Sequence, residues 1–470
     1  MEQLTTTEAS FLEAEDADRQ MNLAIGALAV IDGPTPERDD LITTLSQRLA
    51  TIPRLTQVVR KHTLEVAAPE WVDDANFHIT HHVHWAAVPP PGNDRELFRA
   101  VADLMERRLD RDHPLWDCWV LDGLPDGRWA ALLKIHHCLA DGVAAVRMLA
   151  MISDAGPGAT FASEIHAIKE TPAPAPGSSG LSLNPLVWSK GMWRVSVAGT
   201  KFASQTVRGA TEFAAGLVMP AAGSSVKGSA PAMRRYSATR LSLNDVETIC
   251  DAYGVTPNDV ALAAITDGYR AALTRRGHKP RRNYLRTLVP VLVRSPDAPE
   301  GLDIRVSATL PYLPIEQSDP VKRLRLIHSR LNRLNSGGER EAESPIVRVT
   351  EHVPFMLSAW TVRLLTRLPQ RSVVTLATNM PGPRHRLQVL GRPVERLLPV
   401  PPIAMHSRTV VNMLSYVDEL AFGITGDYDA TPDVDELTQG VKLGVARLLA
   451  RALSRNRSKA KRSRPSASAN

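Results

Sequence analysis

The chain holds only three cysteines in 470 residues, Cys118, Cys138 and Cys250, far apart and without paired spacing. That excludes a disulfide framework or a cysteine-type zinc site and is the usage of a reducing compartment. No apolar run reaches the roughly 18 residues that span a bilayer. Even the stretch from Pro354 to Pro369 is broken by Arg363 and Arg367. The opening residues Met1-Glu2-Gln3-Leu4-Thr5 lack the basic and apolar regions of a secretory leader, so the expectation is a cytoplasmic protein, free or peripherally held. Acid is missing between Arg451 and Arg464, where seven cations stand; without them the net charge of +6 becomes −1. The body has no global basic footprint, which argues against a nucleic-acid partner.

What is present is material for two cores, since 470 residues exceed what one core serves and 43% are hydrophobic. The first part alternates strand-like and helix-like stretches, with strands expected near 21–31, 116–121 and 129–135 and helices near 39–50, 95–109 and 142–152. From Glu170 the run Thr171-Pro172-Ala173-Pro174-Ala175-Pro176-Gly177 sustains neither helix nor sheet and reads as a linker. A second such piece lies at 220–231. Between them, 185–219 has a helical pattern carrying Trp188, Met192, Phe202 and Phe213 with Lys190, Arg194, Lys201 and Arg208. A basic amphipathic helix of this kind fits a lipid interface or the protein's own surface. Beyond Arg234 the alternation resumes, with helices expected near 243–250 and 260–273 and strands near 284–293, 304–313, 373–378, 409–415 and 420–425. The pattern predicts an α/β (α+β) protein with one lobe at 1–168, a linker at 169–233, a second lobe at 234–450 and a basic disordered tail at 451–470, whose cations either stay solvated or meet an anionic membrane surface.

The chemistry concentrates in His136-His137-Cys138-Leu139-Ala140-Asp141-Gly142, an HHxxxDG pattern that follows the strand-like run Trp129 to Ile135. Side chains alternate across a strand, so His136 and His137 should point to opposite faces, and one of them toward substrate. A neutral imidazole at a strand end is suited to accept a hydroxyl proton near neutral pH. Asp141 either caps the following helix or fixes the tautomer of a nearby imidazole. A second histidine cluster, His78, His81, His82 and His84, lacks the partners of a metal site; exposed strand histidines and no metal are expected.

Several stretches together resemble the bacterial wax ester synthase/acyl-CoA:diacylglycerol acyltransferase family, whose signature is HHxxxDG. The likeness begins at Thr7-Glu8-Ala9-Ser10-Phe11-Leu12 and passes through Pro53-Arg54-Leu55, Trp71-Val72-Asp73-Asp74 and the PLW element Pro114-Leu115-Trp116. It continues with Asn258-Asp259, Val289-Pro290-Val291-Leu292-Val293-Arg294, Thr378-Asn379-Met380-Pro381-Gly382-Pro383 and Ser415-Tyr416 before Phe422-Gly423, covering about 4 to 450 in colinear order. Departures are Asp303, where relatives often have Asn, and Arg408-Thr409-Val410-Val411-Asn412, where a glycine-rich start is commoner.

The resemblance implies a two-lobed fold like the CoA-dependent acyltransferases, each lobe a mixed sheet with helices, and an active-site tunnel between them. It implies His137 as base and His136 as its support, with acyl-CoA as donor substrate, no cofactor, and diacylglycerol or a long-chain alcohol as acceptor. Work at the inner face of the plasma membrane or on lipid droplets follows from such acceptors. Asn258 is the candidate oxyanion donor by the same likeness, with Gly142 in support; Asp259 is read as capping the helix that follows, and Asn258-Asp259 reads equally as no more than a capped helix start after Pro257, while Arg294 is a candidate partner for Asp141. Pro114, Leu115, Trp116, Asn379, Pro381 and Gly382 carry no proton-transfer group and are read as turns and tunnel walls. The alternatives are an amide-forming or carrier-dependent acyltransferase, because HHxxxDG also occurs in condensation domains, and a lipid-binding protein that does no chemistry.

Overall fold

The computed structural model describes residues 2–18, 21–49, 52–61, 68–140, 142–155, 233–294, 304–309, 311–336, 375–402, 408–429 and 431–462. The 185–219 helix, Asp141 and Asp303 fall outside these residues, as do the side chains of Arg294 and Asn379.

The first lobe opens with β1 (Glu2–Gln3) and α1 (Thr6–Ala17). A reciprocal cap starts α1: the Thr5 hydroxyl accepts from the Glu8 amide while the Glu8 carboxylate accepts from the Thr5 amide. There follow β2 (Ala24–Ile31), α2 (Arg38–Leu49), β3 (Gln57–Arg60), β4 (Glu70–Asp73), β5 (Val83–Ala87), α3 (Asp94–Glu106), β6 (Trp116–Asp122), β7 (Trp129–His136) and α4 (Gly142–Ile152). Runs such as Ala24 to Ile31 and Trp129 to His136 are apolar at nearly every position because both faces of their sheet are covered.

The second lobe comprises β8 (Arg234–Ser242), α5 (Leu243–Tyr253), α6 (Pro257–Arg275), β9 (Leu285–Arg294), β10 (Ile304–Thr309), β11 (Tyr312–Leu313), α7 (Pro320–Ser336), β12 (Thr375–Met380), β13 (Gln388–Val389), β14 (Arg392–Val400), β15 (Thr409–Tyr416), β16 (Glu419–Asp427) and α8 (Val434–Arg462). Its sheet runs β10-β9-β12-β15-β16-β8, with β11 also paired to β9. Helix α6 is buried from Asn258 through Tyr269. It crosses α8 where Gly268 meets Gly440, so close that a Cβ on Gly440 would lie 2.6 Å from the Gly268 Cα.

Two expectations change. The first-lobe sheet has the order β13-β14-β2-β7-β6-β5, so β13 and β14, from the segment assigned to the second lobe, complete the first. Strand β14 pairs antiparallel with β2, Val400 opposite Gly26 and Val394 opposite Ile31. Second-lobe side chains hold its backbone, as the Tyr236 hydroxyl donates to the Pro399 carbonyl at 3.0 Å and the Tyr416 hydroxyl to the Val394 carbonyl at 2.8 Å. The sheets are thereby locked together. The other change is at the end of the chain: residues 451–462 are not a disordered tail but the last turns of α8, because Val441, Val445, Leu448 and Ala452 keep a buried stripe at helical spacing.

Candidate active site

Strand β7 delivers both histidines to one end of the first-lobe sheet. The His136 amide donates to the Leu115 carbonyl at 2.9 Å and the His137 amide to the Leu23 carbonyl at 3.0 Å, which pins the turn from two sides. Leu115 and Trp116 are buried, and the Trp116 indole N–H donates to the Leu55 carbonyl at 2.8 Å. The PLW element is therefore a backbone clamp on the histidine strand.

His136 is 1% exposed. Its Nδ1 accepts the Cys138 amide at 3.1 Å, which leaves the proton on Nε2, and Nε2 lies 3.4 Å from Oε1 of Glu15. Glu15 is itself buried and accepts the Leu23 amide at 2.9 Å and the Arg111 guanidinium at 2.7 Å. Burial alone would raise this carboxyl, but His136, Arg111 and the Leu23 amide reverse the effect and hold it down at about 2. The result is a fixed carboxylate facing a ring of fixed tautomer.

His137 is half-buried, and its ring lies flat on Phe11, the centroids 4.4 Å apart and the planes 10° from parallel. Phe11 and Glu15 are four residues apart on α1 and so share one side of that helix. One helix face thus touches both rings. Sequence reasoning missed Glu15 altogether; the only local sign of it was the Thr5/Glu8 cap that makes Phe11 and Glu15 helical neighbours.

Cys138 stands inside the motif, but it is buried, and burial pushes its thiol far above the ordinary range, which disfavours a thiolate there. On the parity of His137 along β7, Leu133, Ala131 and Trp129 line an apolar cavity of about 40 Å³ with Ala29, Cys118 and Leu149.

The remaining candidates are spread over elements of both lobes. Asn258 and Asp259 sit at the start of α6, where Thr256 and Asp259 cap each other, and Asp259 Oδ2 is 2.8 Å from His328 Nδ1. Gly142 is the first residue of α4, and Arg294 ends β9. Pro114 precedes β6 and accepts the Trp116 amide at 2.8 Å. Asn379 lies in β12, followed by Pro381 and Gly382; the Gly382 amide donates to Ser415 Oγ at 3.0 Å, and a Cβ there would collide with the Ser415 carbonyl. The His78–His84 cluster needs correction, because His82 is 2% exposed, stacked on Trp116 at 4.6 Å with Nδ1 donating to the Trp116 carbonyl at 2.8 Å. It is a core residue, and no metal-binding group occurs among the described residues.

Two mixed sheets locked by an exchanged strand, with paired histidines at the end of a central strand, define a two-lobed acyltransferase of the HHxxxDG class. A profile of the wax ester synthase/diacylglycerol acyltransferase catalytic domain matches residues 4–261, and one of the family's C-terminal domain matches 305–447. The chain belongs to the wax ester synthase/diacylglycerol acyltransferase family. It is 49% identical over 450 residues to the probable diacylglycerol O-acyltransferase tgs1 of Mycobacterium tuberculosis and to a putative diacylglycerol O-acyltransferase of Mycobacterium bovis, covering 96% of this chain and of each relative. Its fold is that of the wax ester synthase/diacylglycerol acyltransferase from Marinobacter aquaeolei VT8, with a TM-score of 0.66 and 23% identity over 96% of this chain and all of that one. A starter condensation domain of rhizomide synthetase RzmA, solved with C8-CoA, gives a TM-score of 0.56 at 14% identity, covering 96% of this chain and 95% of that one.

Proposed function

We propose that this chain transfers the acyl group of a long-chain acyl-CoA to the hydroxyl of diacylglycerol, and of long-chain alcohols, giving triacylglycerol or wax ester. One observation carries the reading: of two adjacent histidines, one is buried and immobilised against Glu15 while the other, on Phe11, stays partly open.

In this mechanism His137 takes the proton of the acceptor hydroxyl as its oxygen attacks the thioester carbonyl. The new carbon–oxygen bond gives a tetrahedral oxyanion, which collapses with loss of the carbon–sulfur bond, and the departing thiolate takes the proton back from His137. A positioned base supplies about 10²- to 10⁴-fold, and alignment in a tunnel between the lobes supplies more. His136 and Glu15 are positioning residues that hold the turn carrying His137. Asn258 is assigned to the oxyanion and Asp141, with Arg294 as its counter-charge, to the support of the motif. The acceptors are insoluble, so the enzyme works peripherally at the cytoplasmic face of the membrane or on lipid droplets; no described helix is long and apolar enough to cross a membrane.

The test is to incubate purified protein with palmitoyl-CoA and either diolein or hexadecanol, following thiol release and lipid product. Product from either acceptor supports the reading. Thioester consumed only in the presence of an amine or a carrier-bound acceptor would move it to amide formation, and no turnover would end it.

A further inference from the structure

We infer that the outer face of α8, with the exposed cations of α7 beside it, is the surface by which the protein docks on an anionic lipid bilayer. The inference rests on the reading that the enzyme serves acceptors held in a lipid phase. Among the described residues only Met233, Leu443 and Leu453 are large hydrophobics standing well exposed, and two of the three lie on α8, at 44% and 42%. The buried side of α8 is already supplied by Val441, Val445, Leu448 and Ala452, so the fold does not require these leucines. Ala446 and Ala450, also exposed, join Leu443 to Leu453 in one outward stripe at helical spacing.

Cations border that stripe. Lys442, Arg447, Arg451 and Arg457 are exposed; Arg447 reaches Asp267 at 2.8 Å yet stays 56% exposed, and among the described residues the other three have no ion pair. Helix α7 adds Lys322 and Arg325, both exposed, in a segment of five cations and no acid. The two helices pool their charge, because Arg325, Arg451 and Arg455 all act on the Tyr253 hydroxyl, and Lys322 and Arg451 both act on Asp319. The neighbouring acids are Asp267, buried between Arg323 and Arg447, Asp319, occupied in accepting the Lys322 amide, and Glu247 and Asp251 on α5, which packs on α8. After Glu436 the sequence has nine cations and no acid.

Leucines between cations match a bilayer, whose phosphates take the charge while the side chains between them enter the acyl boundary. A nucleic-acid groove would instead interleave aromatic rings, and this stripe has none.

The experiment is sedimentation of the purified full chain with vesicles of phosphatidylcholine alone or mixed with phosphatidylglycerol. Wild-type protein is expected on the mixed vesicles only, and released by high salt. The triple variant Lys442→Gln/Arg451→Gln/Arg457→Gln should lose roughly a hundred-fold in partition, from a factor of about five per cation, and Leu443→Gln/Leu453→Gln should lose several-fold. All five positions are exposed, and circular dichroism checks their folding. Equal partition of the triple variant and wild type, equal binding to both vesicle types, or no binding of wild type would overturn the inference. Thiol release from octanoyl-CoA with hexanol, without vesicles, should match wild type in both variants. No turnover by wild type in that assay and with palmitoyl-CoA and diolein or hexadecanol would strike the acyl-transfer reading and leave the vesicle result standing.

Discussion

Glu15 and His136 face each other at 3.4 Å in a buried site, a carboxylate from the first helix against the Nε2 of a ring whose other nitrogen is held by the Cys138 amide. One turn earlier on the same helix, Phe11 lies flat on His137. The helix therefore sets the position of both members of the motif, and the first predictions concern it.

Glu15→Gln keeps the shape of the side chain but removes the charge that fixes His136. By analogy with the loss of a carboxylate orienting a catalytic imidazole, turnover should fall by on the order of 10²-fold or more, with KM for acyl-CoA little changed. Steady-state thiol release checks this; an unchanged turnover would show that His136 does not need its carboxylate.

The same residue sets an acid limit. An acid whose folded pKa lies below its unfolded value contributes its full stability above the unfolded value and loses it as pH falls toward the folded one. For Glu15 the window runs from 4.5 down to about 2. About 3 kcal/mol should be lost across it, an order-of-magnitude figure for a buried carboxylate. Urea unfolding at pH values inside and above the window should show wild type weakening more than Glu15→Gln. Parallel curves for the two proteins would refute the linkage.

Cys138→Ala should leave turnover intact, since burial disfavours a thiolate there. Trapping of an acylated Cys138 by mass spectrometry would contradict direct transfer.

Gly382→Val places a side chain against the Ser415 carbonyl and Leu414, so a stability loss of roughly 1–3 kcal/mol is expected from overpacking. Thermal unfolding measures it. An unaltered melt would mean that β12 and β15 can separate there at no cost.

How much of this could be read beforehand depended on the range of the interaction. His136 and His137 were legible because a strand, a turn and a helix start fall in one stretch of sequence, and the α6 start was legible because Thr256, Pro257 and Asp259 form its cap locally. Glu15 was not, because nothing near it in the chain says that its carboxylate meets a ring on β7. The exchange of β14 was hidden for the same reason: Val394 to Val400 fell in the segment assigned to the later lobe, with no strand expected there, and its pairing with β2 is set by tertiary contacts. The end of α8 misled by composition, since its many cations masked the buried positions Leu448 and Ala452.

The central claim is that His137 removes the proton of the acceptor. Its most direct test is the rate of CoA release from palmitoyl-CoA and diolein by His137→Ala, with folding followed by circular dichroism. A loss of about 10²- to 10⁴-fold in a folded protein is the predicted result; a folded variant that turns over near the wild-type rate would contradict it.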